Sequence, residues 1–150
     1  MAADRSSGEY RYLDDLTRSD VGFHASGETV EAMFRAAWDA VLAIQIENPE
    51  AIAVVESREI ELENPSLEML LHDFLEEQLY YRDSAHLAMR PESLEVDEGS
   101  DGWSLWAVLG GEQPDEHRHH LGIDVKAITL YRFRVHRSDH SWEATVVVDV

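Results

Sequence analysis

The sequence predicts an α+β domain: two helices packed on a mixed or antiparallel β-sheet, with additional strands toward the C-terminus. Two segments place apolar residues at helical spacing. Seven short runs alternate or are rich in β-branched residues. No stretch rich in Pro, Gly or Ser is long enough to divide the chain, and no internal repeat is present. At 150 residues one domain is the default, and a core can form without covalent staples.

Residues 1–9 read as a loose tail, leaving 10–150 as the domain. Tyr10 to Leu13 and Val21 to Ala25 read as short strands, and Ser26-Gly27 breaks the second. Thr29 is placed to cap a helix whose buried stripe is Val30, Met33, Phe34, Ala37, Trp38, Val41 and Ile44; Asn48-Pro49 closes it. Ile52 to Leu62 is read as strand and Asn64-Pro65-Ser66 as its stop. Ser66 then caps a second helix with Leu67, Leu70, Leu71, Phe74, Leu75 and Leu79 on one face. His86 to Val96 reads as a strand in which Pro91 forces an edge or a bulge. A turn at 97–102 leads to the strand Trp103 to Leu109. Gly110 to Gly122 reads as a polar loop crowded with histidine. Lys126 to His136 and Trp142 to Val148 complete the set, joined by a turn at 137–141. The order is strands, helix, strand, helix, then four strands, which suits helices layered on a sheet.

Composition excludes several classes of function. With no cysteine there is no disulfide, thiolate zinc site or cysteine nucleophile. No apolar run is long enough to span a membrane, and residues 1–8 carry no signal-like apolar core, so the expectation is a soluble cytoplasmic protein. Thirty-one acids against twelve bases give a net charge of −19, and Lys126 is the only lysine. Such a chain will not wrap a phosphate backbone by itself, because nonspecific nucleic-acid binding runs on clustered Lys and Arg; contact with RNA is expected through a partner. Two readings of the acidity stand: a hydrated surface suited to a high-salt cytoplasm, or a face for a basic partner. The scarcity of lysine favours the halophilic reading.

Three places can hold chemistry. Asp14, Asp15 and Asp20 precede a strand. They are either a solvated turn or a source of hard oxygen ligands for calcium, magnesium or manganese. The run Gly111 to His120 contains Glu112, Asp115, His117, His119 and His120, either a flexible polar loop or a transition-metal site. A connector of this length is often functional. At the C-terminus, Asp149 and the oxygens of Val150 concentrate negative charge after an apolar strand. They form either a frayed end or part of a cation site, and Lys126 is the one ammonium that could pair with them or contact phosphate. No phosphate-binding glycine loop, nucleophile elbow or zinc-protease motif is present.

Taken together, in order and at their spacing, these pieces resemble the archease family, small proteins that assist RtcB-type RNA-splicing ligases. Asp20-Val21-Gly22-Phe23 with Gly27 to Ala37 is similar to the family's acid-strand-turn-helix opening, and Leu70 to Arg82 to its second helix. Gly111-Glu112, Asp115, His119 and Val125-Lys126-Ala127-Ile128-Thr129 are similar to its central signature, and Asp149-Val150 to its Asp-Ile ending. One stretch departs. The family usually writes Asp-His-Thr-Ala-Asp before the first strand, and here Leu16-Thr17-Arg18-Ser19-Asp20 keeps only the last acid, unless a shift of one or two residues brings in Asp14 or Asp15.

The resemblance implies an accessory protein, not an enzyme. It would promote guanylylation and repeated turnover of the ligase during tRNA splicing and RNA repair, meeting RNA through that partner. It further implies a divalent-cation site at Asp20, Asp149 and Val150, calcium first with magnesium or manganese as alternatives. Lys126, Glu112, Asp115 and His119 would act toward the partner or phosphate. The competing expectation from the residues alone is a metal-dependent hydrolase built on the 111–120 loop.

Overall fold

In the computed structural model, residues 7–14, 16 and 18–150 are described; the expected tail therefore lies mostly outside the described residues, as do Asp15 and Thr17. The chain runs β1 (Glu9–Leu13), β2 (Asp20–Gly27), α1 (Val30–Gln45), β3 (Glu56–Asn64), α2 (Leu67–Ala85), β4 (Ala88–Gly99), β5 (Gly102–Glu112), β6 (Ala127–Ile128), β7 (Arg134–Arg137) and β8 (Trp142–Asp149).

The α+β class holds, with a division the sequence did not announce. The strands form two antiparallel sheets. One has five strands in the order β1-β2-β8-β6, with β7 also on β8; the other has three in the order β3-β5-β4. Helix α1 packs on β1, β2 and β8 of the larger sheet and on β4 of the smaller, while α2 touches β3, β4 and β5 and reaches β6 and β7. Ten of the sixteen residues of α1 are buried, as befits a helix covered on most sides. Phe23, Phe34, Trp38, Phe74, Leu94, Leu109, Val146 and Val148 join both sheets and both helices in one core.

Local chemistry sets the helix starts as expected. The Thr29 hydroxyl accepts the Ala32 N–H at 3.0 Å, and the Ser66 hydroxyl accepts the Met69 N–H at 3.3 Å. His86 ends α2 in the left-handed region (φ 54°) and so is not the start of the next strand. Strand β4 is an edge strand, and its register shifts between Pro91 and Ser93, so the proline does both things expected of it.

Several expected strands differ in extent: β2 continues through Ser26 and Gly27, and β4 runs on to Gly99, pairing residues expected to turn. Residues 52–55 do not pair as strand; a short 3-10 turn at Pro49–Ala51 precedes them. Gly110, Gly111 and Glu112 belong to β5 and not to the loop. The expected strand from Lys126 to His136 is interrupted. Between β6 and β7 the chain turns at 130–133, closed by the Phe133 N–H on the Leu130 carbonyl (3.2 Å), with Arg132 at φ 55°. Five strands therefore follow α2, where four were expected.

Candidate functional site

The strands β2 and β8 run antiparallel with Asp20 directly opposite Asp149, so residues 129 apart in sequence become cross-strand neighbours. The Val150 N–H donates to the Ser19 carbonyl at 2.9 Å. That bond flanks the Asp20–Asp149 pair and makes it a non-hydrogen-bonded one, the kind in which Cα atoms approach to about 4.5 Å and side chains lie closest. Like charges at directly opposite positions are unfavourable unless a partner offsets them. Both aspartates are half-buried.

Lys126 arrives from the other side of β8. Its backbone N–H donates to the Asp149 carbonyl at 2.7 Å, and Ala127 then pairs with Asp149 in β6. The lysine is exposed. Asp20, Asp149, Val150 and Lys126 thus meet at one end of the larger sheet. Among the described residues no three His, Cys, Asp or Glu side chains gather as a metal-binding group, so the tip supplies two carboxylates and the main-chain oxygens of Val150. These donors are all hard oxygens, which fit calcium, magnesium or manganese and do not fit a soft metal.

The histidine-rich loop is built differently. Glu112 and His119 are two of the few buried polar residues. The Glu112 carboxylate accepts the Ala53 N–H at 2.6 Å through Oε2 and the Arg118 guanidinium through Oε1. His119 accepts the Asp115 N–H at Nδ1 (2.8 Å), and its Nε2 faces Glu112 Oε2 at 3.4 Å. Asp115 accepts the His117 N–H through Oδ1 at 2.9 Å, closing an Asx turn. Asn48 clamps the far side: its amide donates to the Arg118 carbonyl (3.0 Å) and its Oδ1 accepts the His120 N–H (2.7 Å). His119 points inward, while His117 and His120 are exposed, and the three imidazoles do not converge. Nothing favours the hydrolase. Glu112, Asp115 and His119 hold a loop in shape. Arg118 and Asn48 are part of the same knot; an Asn before a Pro signals only a stop, and no local pattern pairs it with a loop 70 residues away.

The chain that leaves the loop is anchored shortly before it reaches the tip. The Ile123 N–H donates to the Ile44 carbonyl at the end of α1, and three residues later Lys126 bonds Asp149. Three residues span at most about 11 Å, so the knotted loop delivers Lys126 to the aspartates over a short tether.

The knot has a pH signature. Arg118 above all, and then the Ala53 N–H, hold the Glu112 carboxyl below its ordinary value of 4.5; the His117 N–H does the same for Asp115, whose ordinary value is 3.8. A carboxyl depressed in the folded state contributes stability above its unfolded value and loses it as pH falls through the folded one. Acid titration followed by circular dichroism is therefore expected to show stability falling below about pH 4.5. Glu112→Gln removes part of that slope.

The sequence model of the Archease protein family (MTH1598/TM1083) matches residues 10–150. The chain is 32% identical over 133 residues to the protein archease of Pyrococcus abyssi, covering 88% of this chain and 93% of that one. It is 32% identical over 145 residues to the protein archease of Methanosarcina mazei, covering 95% and 96%. Among solved structures it is similar to protein 1598 of Methanobacterium thermoautotrophicum, with a TM-score of 0.80 and 26% identity over 94% of this chain and 98% of that one. A Thermotoga maritima protein described as an archease and possible chaperone shares the fold, with a TM-score of 0.63 and 15% identity over 92% and 96%. No helix among the described residues is long and apolar enough to cross a membrane. On the family match over 10–150 and these relatives, the chain belongs to the archease family.

Proposed function

We propose that this protein is a non-catalytic, cytoplasmic accessory factor of an RtcB-type RNA ligase in tRNA splicing and RNA repair. It promotes guanylylation of the ligase and so lets it turn over repeatedly. The observation that carries the proposal is the cross-strand pairing of Asp20 with Asp149 beside Lys126. Two carboxylates at facing cross-strand positions would gain from a shared cation. Asp20, Asp149 and Val150 would hold it, calcium before magnesium or manganese, and the bound ion supplies positive charge. Lys126, exposed at the same tip, is placed to neutralise phosphate on a docked partner. Nucleotidyl and phosphoryl transfers depend chiefly on position and charge neutralisation, so a tip that brings both is a reasonable lever. The acidic, lysine-poor surface fits a halophilic protein that reaches RNA through its partner.

The test is Asp149→Ala with the cognate ligase. Cation affinity, measured by titration calorimetry, is expected to fall at least about tenfold. Multiple-turnover ligation is expected to drop to the level of the ligase alone, with the circular dichroism melt retained. Unaltered multiple turnover overturns the proposal.

A further inference from the structure

The molecule carries −19 overall, yet residues 125–138 contain no Asp or Glu and hold four of the twelve bases: Lys126, Arg132, Arg134 and Arg137. This acid-free stretch is the β6–turn–β7 edge of the larger sheet. Four arginines elsewhere are matched by carboxylate: Arg58 with Glu56, Arg82 with Asp83, Arg90 with Asp39, Arg118 with Glu112. Among the described residues, Lys126, Arg134 and Arg11 form no ion pair.

Register extends the basic edge across the sheet. Arg134 lies opposite Thr145, Thr145 opposite His24, and His24 opposite Arg11, a single row over four strands. Alternation puts this row on the face away from the core, because Phe23, Ala25, Ala144 and Val146 between its members are buried. Along β8, Arg134 at the level of Thr145 and Lys126, one residue beyond the Ala127–Asp149 pair and so at the level of Val150, are about 16 Å apart. Between them the turn presents Leu130 and Tyr131, 60% and 56% exposed, with the Arg132 guanidinium 5.0 Å from the Tyr131 ring.

We propose that this edge and row contact a single strand of RNA, leading it toward the Asp20–Asp149 tip. The inference rests on the accessory-factor reading above and adds to it a direct RNA contact. The ammonium of Lys126 and the guanidinium groups of Arg134 and Arg11, spaced along this edge and row, match the charge of a phosphate chain, and an exposed tyrosine offers a stacking face that accepts any base. Glu143, on the next row, is held by His24 at 3.3 Å and His136 at 2.9 Å, so both its oxygens are engaged within the sheet. The remaining acids keep the free protein off RNA, and the contact forms when the ligase supplies the affinity.

The experiment compares the ligase bound to this protein with the ligase bound to Arg11→Ser/Arg134→Ser, both sites being exposed. A fluorescein-labelled single-stranded RNA is followed by anisotropy across a salt series, and ligase binding is measured separately without RNA. RNA affinity is expected to fall about tenfold and the slope of log K against log salt to become shallower by about 1.4, the loss of two phosphate contacts. Ligase binding stays unchanged, and Arg11→Lys/Arg134→Lys restores RNA affinity. Equal RNA affinity and slope in the two complexes overturn the inference and leave the accessory reading standing. A fall in ligase binding itself makes the face a protein contact and likewise overturns it. Failure of the wild-type protein to bind the ligase overturns both.

Discussion

Gly111→Ala is expected to unfold the end of the smaller sheet. A Cβ at this position would sit 1.9 Å from the Ala88 carbonyl oxygen and 2.7 Å from the Met89 Cα, both backbone atoms of the neighbouring strand. Neither can rotate away, so β4 and β5 must part where Met89 pairs with Gly111. Overpacking in ordinary cores costs about 1–3 kcal/mol, and a backbone obstruction belongs at or beyond the upper end. The damage spreads to the loop. The Gly111 carbonyl accepts the Val55 N–H at 3.0 Å, and the next residue is Glu112, whose carboxylate organises Ala53, Arg118 and His119. Chemical denaturation is expected to show a loss of about 3 kcal/mol or more, and hydrogen exchange to show the 112–124 amides unprotected. A melt indistinguishable from wild type counts against this account. The Gly111-Glu112 pair thus has a structural meaning: the first residue lets two strands close, and the second ties down the loop they deliver.

Trp38→Ala is the second. Trp38 is fully buried on α1 with its ring centroid 4.8 Å from that of Phe74 on α2, and its indole N–H donates to the Met89 carbonyl on β4 at 2.8 Å. One side chain therefore joins two helices and the smaller sheet. Truncating such a residue costs about 3–5 kcal/mol in lost burial and cavity, and the abandoned Met89 carbonyl adds to it. At about 2–4 °C per kcal/mol for a chain of this size, the midpoint is expected to fall by about 10–15 °C in calorimetry. Trp38→Phe keeps most of the packing and loses the hydrogen bond, so it is expected to recover more than half of that fall.

Much of the architecture was legible because it depends on local rules. Thr29 and Ser66 cap as their side chains dictate, and both helical stripes face the core. Pro91 marks a bulge on an edge because it lacks a donor. The misreadings come from long-range partners. Ile52 to Val55 has strand-like composition, but the Glu112 carboxylate takes the Ala53 N–H, and Val54 and Val55 stay exposed. The 126–136 run alternates well enough to pass for one strand; Arg132 in the left-handed region breaks it, a conformation no apolar pattern signals. The partition into two sheets was equally hidden, since alternation reports a buried face and not which sheet owns it.

At the candidate site, the residue types at the two ends of the chain pointed to oxygen ligands, and the β2–β8 register puts Asp20 and Asp149 face to face. The loop was the harder case. Histidine spacing suggested a metal, while the fold uses His119 as an acceptor for the Asp115 N–H.

The β2–β8 pairing has a consequence for biosynthesis. Asp20 and Asp149 pair although they are far apart in sequence, and contacts of such separation form late because the loop they close is large. A nascent chain halted anywhere before β8 carries half of the acidic pair and an unpaired β2. Whatever recognises the tip recognises only polypeptide in which β8 has closed onto β2, so an intact tip reports a completed larger sheet.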